Sequence, residues 1–507
     1  MTCAASAAFV IGYDSNCVAT IIPILTNEFD ALGDMVWYST AYLITSTAAV
    51  LSFGKLYSLF RFKIVFASVM GVFLVGTAVC TVAKTSIAFI CGRAVTGLGC
   101  AGIMSGINIL ISRVTPLEKR PFWQGFVGTA ECLAICAGPL IAGVITRYAS
   151  WRACFYVTIP VAAYTFLLVL LLFKDIEAPA DAELSLREKL SALDLPGVAC
   201  FVPAVVCLVL ALEWGGTSYS WSDFRVLLPL TLAAPLIGAF VGCGLWRGKK
   251  ATVPLRLLGQ RTVFASVLYA GFASAGLYIM AYYLPMWFQT VRGQSTLMSG
   301  ISTLPLVVGL TIAIISSGSL TSFIGYYTPA LILGSCLSAI GAGLLTTMTS
   351  ATPTVKWVVY QAIYGIGCGI GWQSPYIAVQ TVLSKEDTTP GLVFLAFTFS
   401  LGAIIALAVA QNLYISRLVT LLSSVLPGIT AKTINNSGMT ALIQKAGEDS
   451  KPIILNAYND AFQKAIFIGV AVACASFICA LVVEVKSVKG TETTASSRIS
   501  SEKKSEM

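Results

Sequence analysis

Histidine is absent from this 507-residue chain, and charge is scarce: Asp, Glu, Lys and Arg together make up 11% of it. Without His there is no Ser-His-Asp catalysis, no His-ligated metal centre and no His proton relay. A phosphate-binding Gly-x-x-x-x-Gly-Lys-Ser/Thr loop is also missing; "GLWRGKKAT" lacks the first glycine at the required spacing. An ATP-driven pump within this chain is therefore excluded. Strict alternation over ~10-residue segments, the mark of a membrane β-barrel, is missing too.

Apolar residues fill the space that charge leaves. They make up 57% of the chain, where a soluble domain would carry about a quarter charged residues. They gather in blocks of about 20, each long enough as a helix to cross about 30 Å of hydrocarbon. The composition describes an all-α polytopic membrane protein whose surroundings are the lipid bilayer. The formal charge of +9 does not signal nucleic acid, because Lys and Arg lie between the apolar blocks. The 15 Cys sit almost entirely inside the blocks, as small polarizable packing residues. Cys132 and Cys136 share a helix face at four-residue spacing, but a soft metal there is the lesser reading. No metal and no cofactor is expected. The opening "MTCAASAAFVIG" has no basic leader and reads as the start of the first span.

About fourteen spans are predicted. Six lie near 4–25, 35–57, 63–83, 87–111, 122–146 and 152–173; two near 195–213 and 226–246; and six near 262–288, 299–322, 326–349, 355–380, 391–415 and 464–485. Basic residues gather after the even-numbered spans, among them Lys55, Arg61, Lys63, Arg113, Lys119, Arg120, Arg247 and Arg261. The positive-inside rule then puts both ends of the chain in the cytoplasm. A long loop on the other side, 416–463, carries the sequon Asn435-Asn436-Ser437, with Asn435 as glycosylation acceptor.

The chain also repeats itself. "RAVTGLGCAGI" (93–103) matches "QAIYGIGCGIG" (361–371), pairing Gly97 with Gly365 and Gly99 with Gly367. "GKLYSLFRF" (54–62) matches "GSLTSFIGY" (318–326) at a similar offset. The predicted organisation is a six-helix half (1–173), a cytoplasmic linker (174–194), two inserted spans with a cytoplasmic loop (195–261), a second six-helix half (262–485) and a disordered cytoplasmic tail (486–507). Two parallel halves form a transporter architecture, with the substrate site at their interface near the midplane.

Ionisable groups inside spans cost about 2.5–3.5 kcal/mol each by insertion scales, so each needs a reason. Three stand out: Asp14, Arg93 and Glu131. Arg93 shares a helix face with Gly97, Cys100, Met104 and Asn108, a face read either as a packing seam or as a wall of a central cavity. At 1.5 Å of rise per residue, Arg93 lies about 9 Å below the outer end of its span, Asp14 about 16 Å and Glu131 about 22 Å. Asp14 is the better partner. Glu131 is left without a countercharge and is expected to hold its proton much of the time. Its face carries the small residues Gly128, Ala134, Gly138 and Ala142, and Pro139 is expected to kink the helix as a hinge. Gln289, Gln361 and Gln373 are further candidates for the substrate cavity. The aromatic cluster "YIMAYYLPMWFQ" suits either a broad apolar pocket or an interfacial belt.

The motifs "YDSNCVATIIP", "WYSTAYLIT", "GRAVTGLGCAG", "AGPLIAG", "WRACFYVTIP", "ALEWGGTSYSW" and "GIGCGIGWQSP" together resemble the major facilitator superfamily. The likeness covers about residues 12–485 and is specifically to the fourteen-span drug:proton antiporters of the fungal toxin and multidrug efflux branch. The resemblance implies proton-driven export of small hydrophobic molecules from a monomer, most readily at the plasma membrane. It associates Asp14 and Arg93 with proton coupling, and Gly138, Pro139 and Gly143 with an export-type hinge. The loop after the second span departs from the family pattern: Ser58 and Leu59 stand where an Asp-Arg pair is usual, with Arg61 and Lys63 as possible substitutes. Glu131 belongs to no family signature. A proton-coupled importer of a nutrient or an iron chelate is the alternative reading; a membrane-embedded enzyme is not expected.

Overall fold

The structure, a computed structural model, describes residues 1–31, 34–35, 37–172, 188–189, 193–216, 219–248, 251–252, 255–426, 429–430, 433–434 and 450–489. Its elements are helices α1 (Thr2–Glu28), α2 (Trp37–Leu59), α3 (Phe62–Val82), α4 (Ser86–Val114), α5 (Arg120–Tyr148) and α6 (Arg152–Leu172). Then come α7 (Leu195–Trp214) and α8 (Phe224–Arg247). A second series follows: α9 (Arg261–Thr290), α10 (Thr296–Ile324), α11 (Thr328–Leu345), α12 (Thr354–Gly371), α13 (Ser374–Val382), α14 (Lys385–Leu422) and α15 (Lys451–Val482).

Local chemistry sets several of the ends. Side-chain oxygens of Thr85, Asp194, Asp223, Ser295 and Ser384 accept backbone N–H groups in the first turns of α4, α7, α8, α10 and α14. Gly325 closes α10 in the left-handed region at φ 87°, where a side chain would be strained.

Among the described residues, eleven helices are long and apolar enough to cross a membrane, or twelve when α1, bent by 41° between Thr2–Val18 and Thr20–Glu28, counts as one span. The predicted fourteen is not reached on length and apolarity. The helix α2 is rich in Ser, Thr and Tyr, and the predicted span 355–380 is split into α12 and α13. Pro375 explains the split, since it has no N–H to offer the carbonyl of Gly371. The predicted outer loop 416–463 also shrinks: α14 runs on to Leu422 and α15 starts at Lys451, with Arg417 and Asp460 of these added turns ion-paired at 2.6 Å. The tail is not loose from 486 either. Val488 N donates to Gly325 O at 2.7 Å, and Val488 is buried among Tyr327, Leu331 and Ile377.

The duplication read from the motifs is a duplication of packing. In the first half α1 packs on α5, α2 on α4, and α3 on α4 and α6; in the second, α9 packs on α14, α10 on α12, and α11 on α12 and α15. The matched glycines have matched jobs. A Cβ at Gly97 would strike Tyr42 on α2, and one at Gly365 would strike Leu306 on α10. Gly99 lies against Phe73 of α3, and Gly367 against Ser338 of α11. These contacts let the backbones approach closely, which is how membrane helices gain packing energy where lipid is as apolar as Leu.

The halves meet along two seams, α5 on α10 and α2 on α14, which are each other's counterparts under the repeat. The inserted helix α7 packs on α8, α2 and α14, covering the second seam. On the side where Lys and Arg gather, the seams are tight. A Cβ at Gly125 would lie 2.9 Å from Ile314 O, one at Gly318 would lie 2.5 Å from Pro121 O, and one at Gly54 would lie 3.1 Å from Val393. Arg120 Nη1 adds a hydrogen bond to Gln380 Oε1 at 3.3 Å.

Candidate functional site

Asp14 projects from α1 and Arg93 from the first half of α4. Arg93 Nη1 donates to Asp14 Oδ2 at 2.7 Å, with the two side chains 1% and 0% exposed. Arg93 Nε donates to Tyr38 O at 3.2 Å, and the guanidinium lies 4.3 Å from the ring centroid of Tyr42. Thus α2 supplies both an acceptor and a π-face, and the cation is held on three sides. Depth along the helices and the structure agree on this partner. The other carboxylate oxygen, Asp14 Oδ1, is buried with no hydrogen-bond partner among the described residues.

Beside this pair lies a cavity of about 310 Å³ between the halves. From the first half it takes Tyr42, Arg93, Met104, Asn108 and Glu131; from the second it takes Tyr278, Trp372, Gln373, Tyr376 and Phe399. The face of α4 that carries Arg93, Cys100, Met104 and Asn108 is a cavity wall, while the glycines beside it make the packing seam. Sequence reasoning left those as alternatives, and the helix does both. The break between α12 and α13 puts Trp372 and Gln373 into the cavity, and the Trp372 ring stands edge-on to Phe399 at 4.5 Å. Gln373 reaches across to the other half: a Cβ on Gly128 would lie 2.5 Å from its Nε2.

Two of the proposed cavity residues stand elsewhere. Gln361 is fully buried on the face of α12 that packs on α10, donating to Ser302 O at 3.1 Å. It is the repeat counterpart of Arg93 and bonds the corresponding helix pair. Gln289 donates to Ser299 Oγ at 3.0 Å near the α9–α10 turn. The aromatic cluster divides as well. Tyr278 lines the cavity, whereas Trp287 and Phe288 are buried in the core of the second half, Trp287 Nε1 donating to Asn459 Oδ1 at 2.8 Å. They form neither pocket wall nor interfacial belt.

Helix α5 runs unbroken through Pro139 to Tyr148, so the expected kink there is not a break; the sharp bend lies in α1. Gly138 faces α1, its added Cβ 3.1 Å from Asn16, while Gly143 has nothing within 4 Å. At the departure from the family pattern, Ser58 Oγ donates to Gly54 O at 2.9 Å and Arg113 Nη2 to Tyr57 O at 3.0 Å. The first bond lies within α2, and the second ties the last turn of α2 to α4. Asn435 lies outside the described residues.

Sequence reasoning missed Gln124. It lies seven residues before Glu131 on α5, lines the cavity and is 1% exposed. The signal was available, since two helical turns put 124, 128 and 131 on one face. Among the described residues, no group of three or more His, Cys, Asp or Glu is placed to hold a metal ion.

Two like helical halves around a central cavity, inside a polytopic membrane protein, define a small-molecule transporter. Residues 4–407 match the family described as Major Facilitator Superfamily. The chain is 40% identical over 484 residues, 96% of its length and 86% of the relative's, to the MFS-type transporter astH of Aspergillus oryzae. It is 39% identical to the MFS-type efflux pump MFS1 of Arthroderma benhamiae, covering 95% of this chain and 90% of that protein. Against the efflux pump roqT of Penicillium rubens it is 37% identical, covering 95% and 89%. Among solved structures, the proton:xylose symporter XylE superposes with a TM-score of 0.61 at 14% identity, covering 96% of each chain, which shows the fold. The chain belongs to the major facilitator superfamily. It is a transporter and not an enzyme, and it works as a multi-pass protein that binds small molecules within a membrane.

Proposed function

We propose that this protein is a proton-coupled exporter of small hydrophobic molecules, of the fungal secondary-metabolite or toxin class, working by alternating access. The observation that carries the coupling is the Asp14–Arg93 pair, buried against the cavity with one carboxylate oxygen unpartnered. An acid placed there is a proton acceptor whose neutralisation removes the countercharge of Arg93. The guanidinium is then free to shift on α2, and the first half can rock against the second. Proton influx supplies about 2.3 kcal/mol per charge per 100 mV, plus any pH gradient. The names of the fungal relatives, efflux pumps among them, support the outward direction. On this reading the protein works as a monomer at the plasma membrane, with fourteen spans, both chain ends in the cytoplasm and no cofactor but the proton gradient.

The test is export from oriented proteoliposomes under an imposed proton gradient. D14N is expected to abolish gradient-driven export while leaving equilibrium binding of cargo in place. Full gradient-driven export by D14N overturns the coupling role. Flux that concentrates cargo on the opposite side under the same gradient overturns export in favour of import.

A further inference from the structure

The proposed mechanism leaves several polar side chains of the cavity unused, and two of them, Glu131 and Gln124, belong to α5. Among the described residues, Glu131 takes no hydrogen bond and no ion pair, although its side chain lines the cavity. Gln124 is 1% exposed, and neither Nε2 nor Oε1 of its amide has a hydrogen-bond partner among the described residues. A buried amide without partners costs stability, as does an unmatched acid, so each marks a place where a ligand's polar group would be satisfied. They share one helix face, with Gly128 between them, and stand about 10 Å apart along the axis.

The chemistry of the ends differs. Around Glu131 the charge balance is one-sided: Arg93 is matched by Asp14, so the acid is the unmatched charge of the cavity wall. Tyr278 and Tyr376 line the same space from the second half, and aromatic faces with an acid suit an organic ammonium group. At the other end Gln124 offers an N–H donor beside a carbonyl acceptor, which a carboxamide or lactam can meet as a pair but an ammonium or a lone hydroxyl cannot meet fully. Between them the wall is Val127, Met104 and Ile107, with Trp372 and Phe399 lining the same space and the Gln373 amide seated against Gly128.

We infer that α5 carries a two-ended binding site, Glu131 for an amine and Gln124 for a neutral amide about 10 Å away, with the cargo's apolar body lying along Met104 and Ile107 beside the Gln373 amide that covers Gly128. The cargo is then an elongated amphipathic amine. This deepens the exporter reading, and rests on it in taking the cavity as the cargo site.

Three probes separate the ends: 6-(aminomethyl)naphthalene-2-carboxamide carries both groups, 2-naphthylmethylamine only the amine, and 2-naphthylmethanol neither charge nor amide. Equilibrium binding is measured by energy transfer from protein Trp, with the full chain in nanodiscs and empty nanodiscs as background. The wild type is expected to prefer the amine over the alcohol by about tenfold, and the two-ended probe over the amine by several-fold. E131Q should erase the amine preference and keep alcohol binding; E131D, which keeps the charge, should restore part of it. Q124L should erase the gain from the carboxamide while leaving the amine preference. An amine preference that survives E131Q overturns the site. So does an equal loss on all three probes in both E131Q and Q124L, since that reports only a misshapen cavity. A wild type with the ranking but no proton-driven flux refutes the exporter reading alone, and flux without the ranking refutes the two-ended site alone.

Discussion

Breaking the Asp14–Arg93 pair from either side should be costly, and breaking it from both sides much less so than the two costs added. The pair is 2.7 Å apart and almost fully buried. Removing one partner of such a pair strands the other charge, at about 3–5 kcal/mol, whereas replacing both with neutral groups is often close to neutral. Arg93 has secondary holds that temper its loss of Asp14: the carbonyl of Tyr38 and the ring of Tyr42, the latter worth about 0.5–2 kcal/mol. Among the described residues, Asp14 has no comparable second partner on Oδ1. We therefore expect R93Q to destabilise by about 4 kcal/mol and D14N by about 3 kcal/mol. The double variant should lose no more than either single change, a coupling energy of at least about 4 kcal/mol. The assay is a double-mutant cycle on reversible unfolding in mixed micelles, with thermal midpoints as a second reading. Additivity within about 0.5 kcal/mol would refute the argument, because it would mean that the two charges do not feel one another.

Further outcomes follow from the packing. Gly97→Ala and Gly365→Ala should each destabilise by about 1–3 kcal/mol, read as a fall in melting temperature, since both Cβ atoms would enter backbone of the neighbouring helix. Gly143→Ala should fold normally and even gain about 0.5–1 kcal/mol, because nothing lies within 4 Å of the added carbon; lost transport with retained binding would then report a role in motion. Asp194→Ala should cost about 1–2 kcal/mol through lost capping of α7. The same change should speed proteolysis of the α8–α9 loop, because Asp194 also accepts from Thr252 N at 2.8 Å and meets Arg247 at 3.5 Å. Val488→Asp should undock the start of the tail, seen as faster thiol labelling of a Cys placed at Ser487, since Val488 is buried beside Tyr327.

What could be read in the sequence follows physical period and cost. Spans are legible because a run of about 20 apolar residues has no other use in a chain this poor in charge. The Asp14–Arg93 pair is legible because two charges in hydrocarbon must meet, and helix rise fixes their depth. The ends of α14 and α15 were hidden, since those helices continue past the apolar block on polar residues such as Arg417 and Asp460, which hydropathy assigns to a loop. Gln361 was misread because a buried amide looks the same in sequence whether it faces a cavity or a neighbouring carbonyl. Which face of α12 meets α10 is decided by Gly365, and the repeat would have told it: Gln361 stands where Arg93 stands, four residues before the matched glycine. Gln373 was read as a cavity residue, but Trp372 beside it was not, because it reaches the cavity through the Pro375 break, a local event that span counting smooths over.

The comparison of Arg93 with Gln361 bears on how the two halves share the work. Packing is symmetric: the same glycines sit on the same neighbouring helices, and the two seams are counterparts. Charge is not. Where α4 holds its neighbour through a buried cation, α12 holds its own through a neutral amide bonded to Ser302 O. A neutral amide has no protonation state to change, so protonation does not act on that contact, while the Arg93 contact is made to an ionisable partner, Asp14. The second half therefore offers a fixed wall, built from Tyr278, Trp372, Tyr376 and Phe399, and the first half carries the acid pair, Glu131 and Gln124 facing it. An alternating cycle driven from one half needs this arrangement. If both halves carried a titrating pair, one proton would leave the structure half-switched. In the cycle proposed above, the glycine seams at Gly125–Gly318 and Gly54–Val393 are the place for a pivot, because backbones in contact can roll but cannot close further.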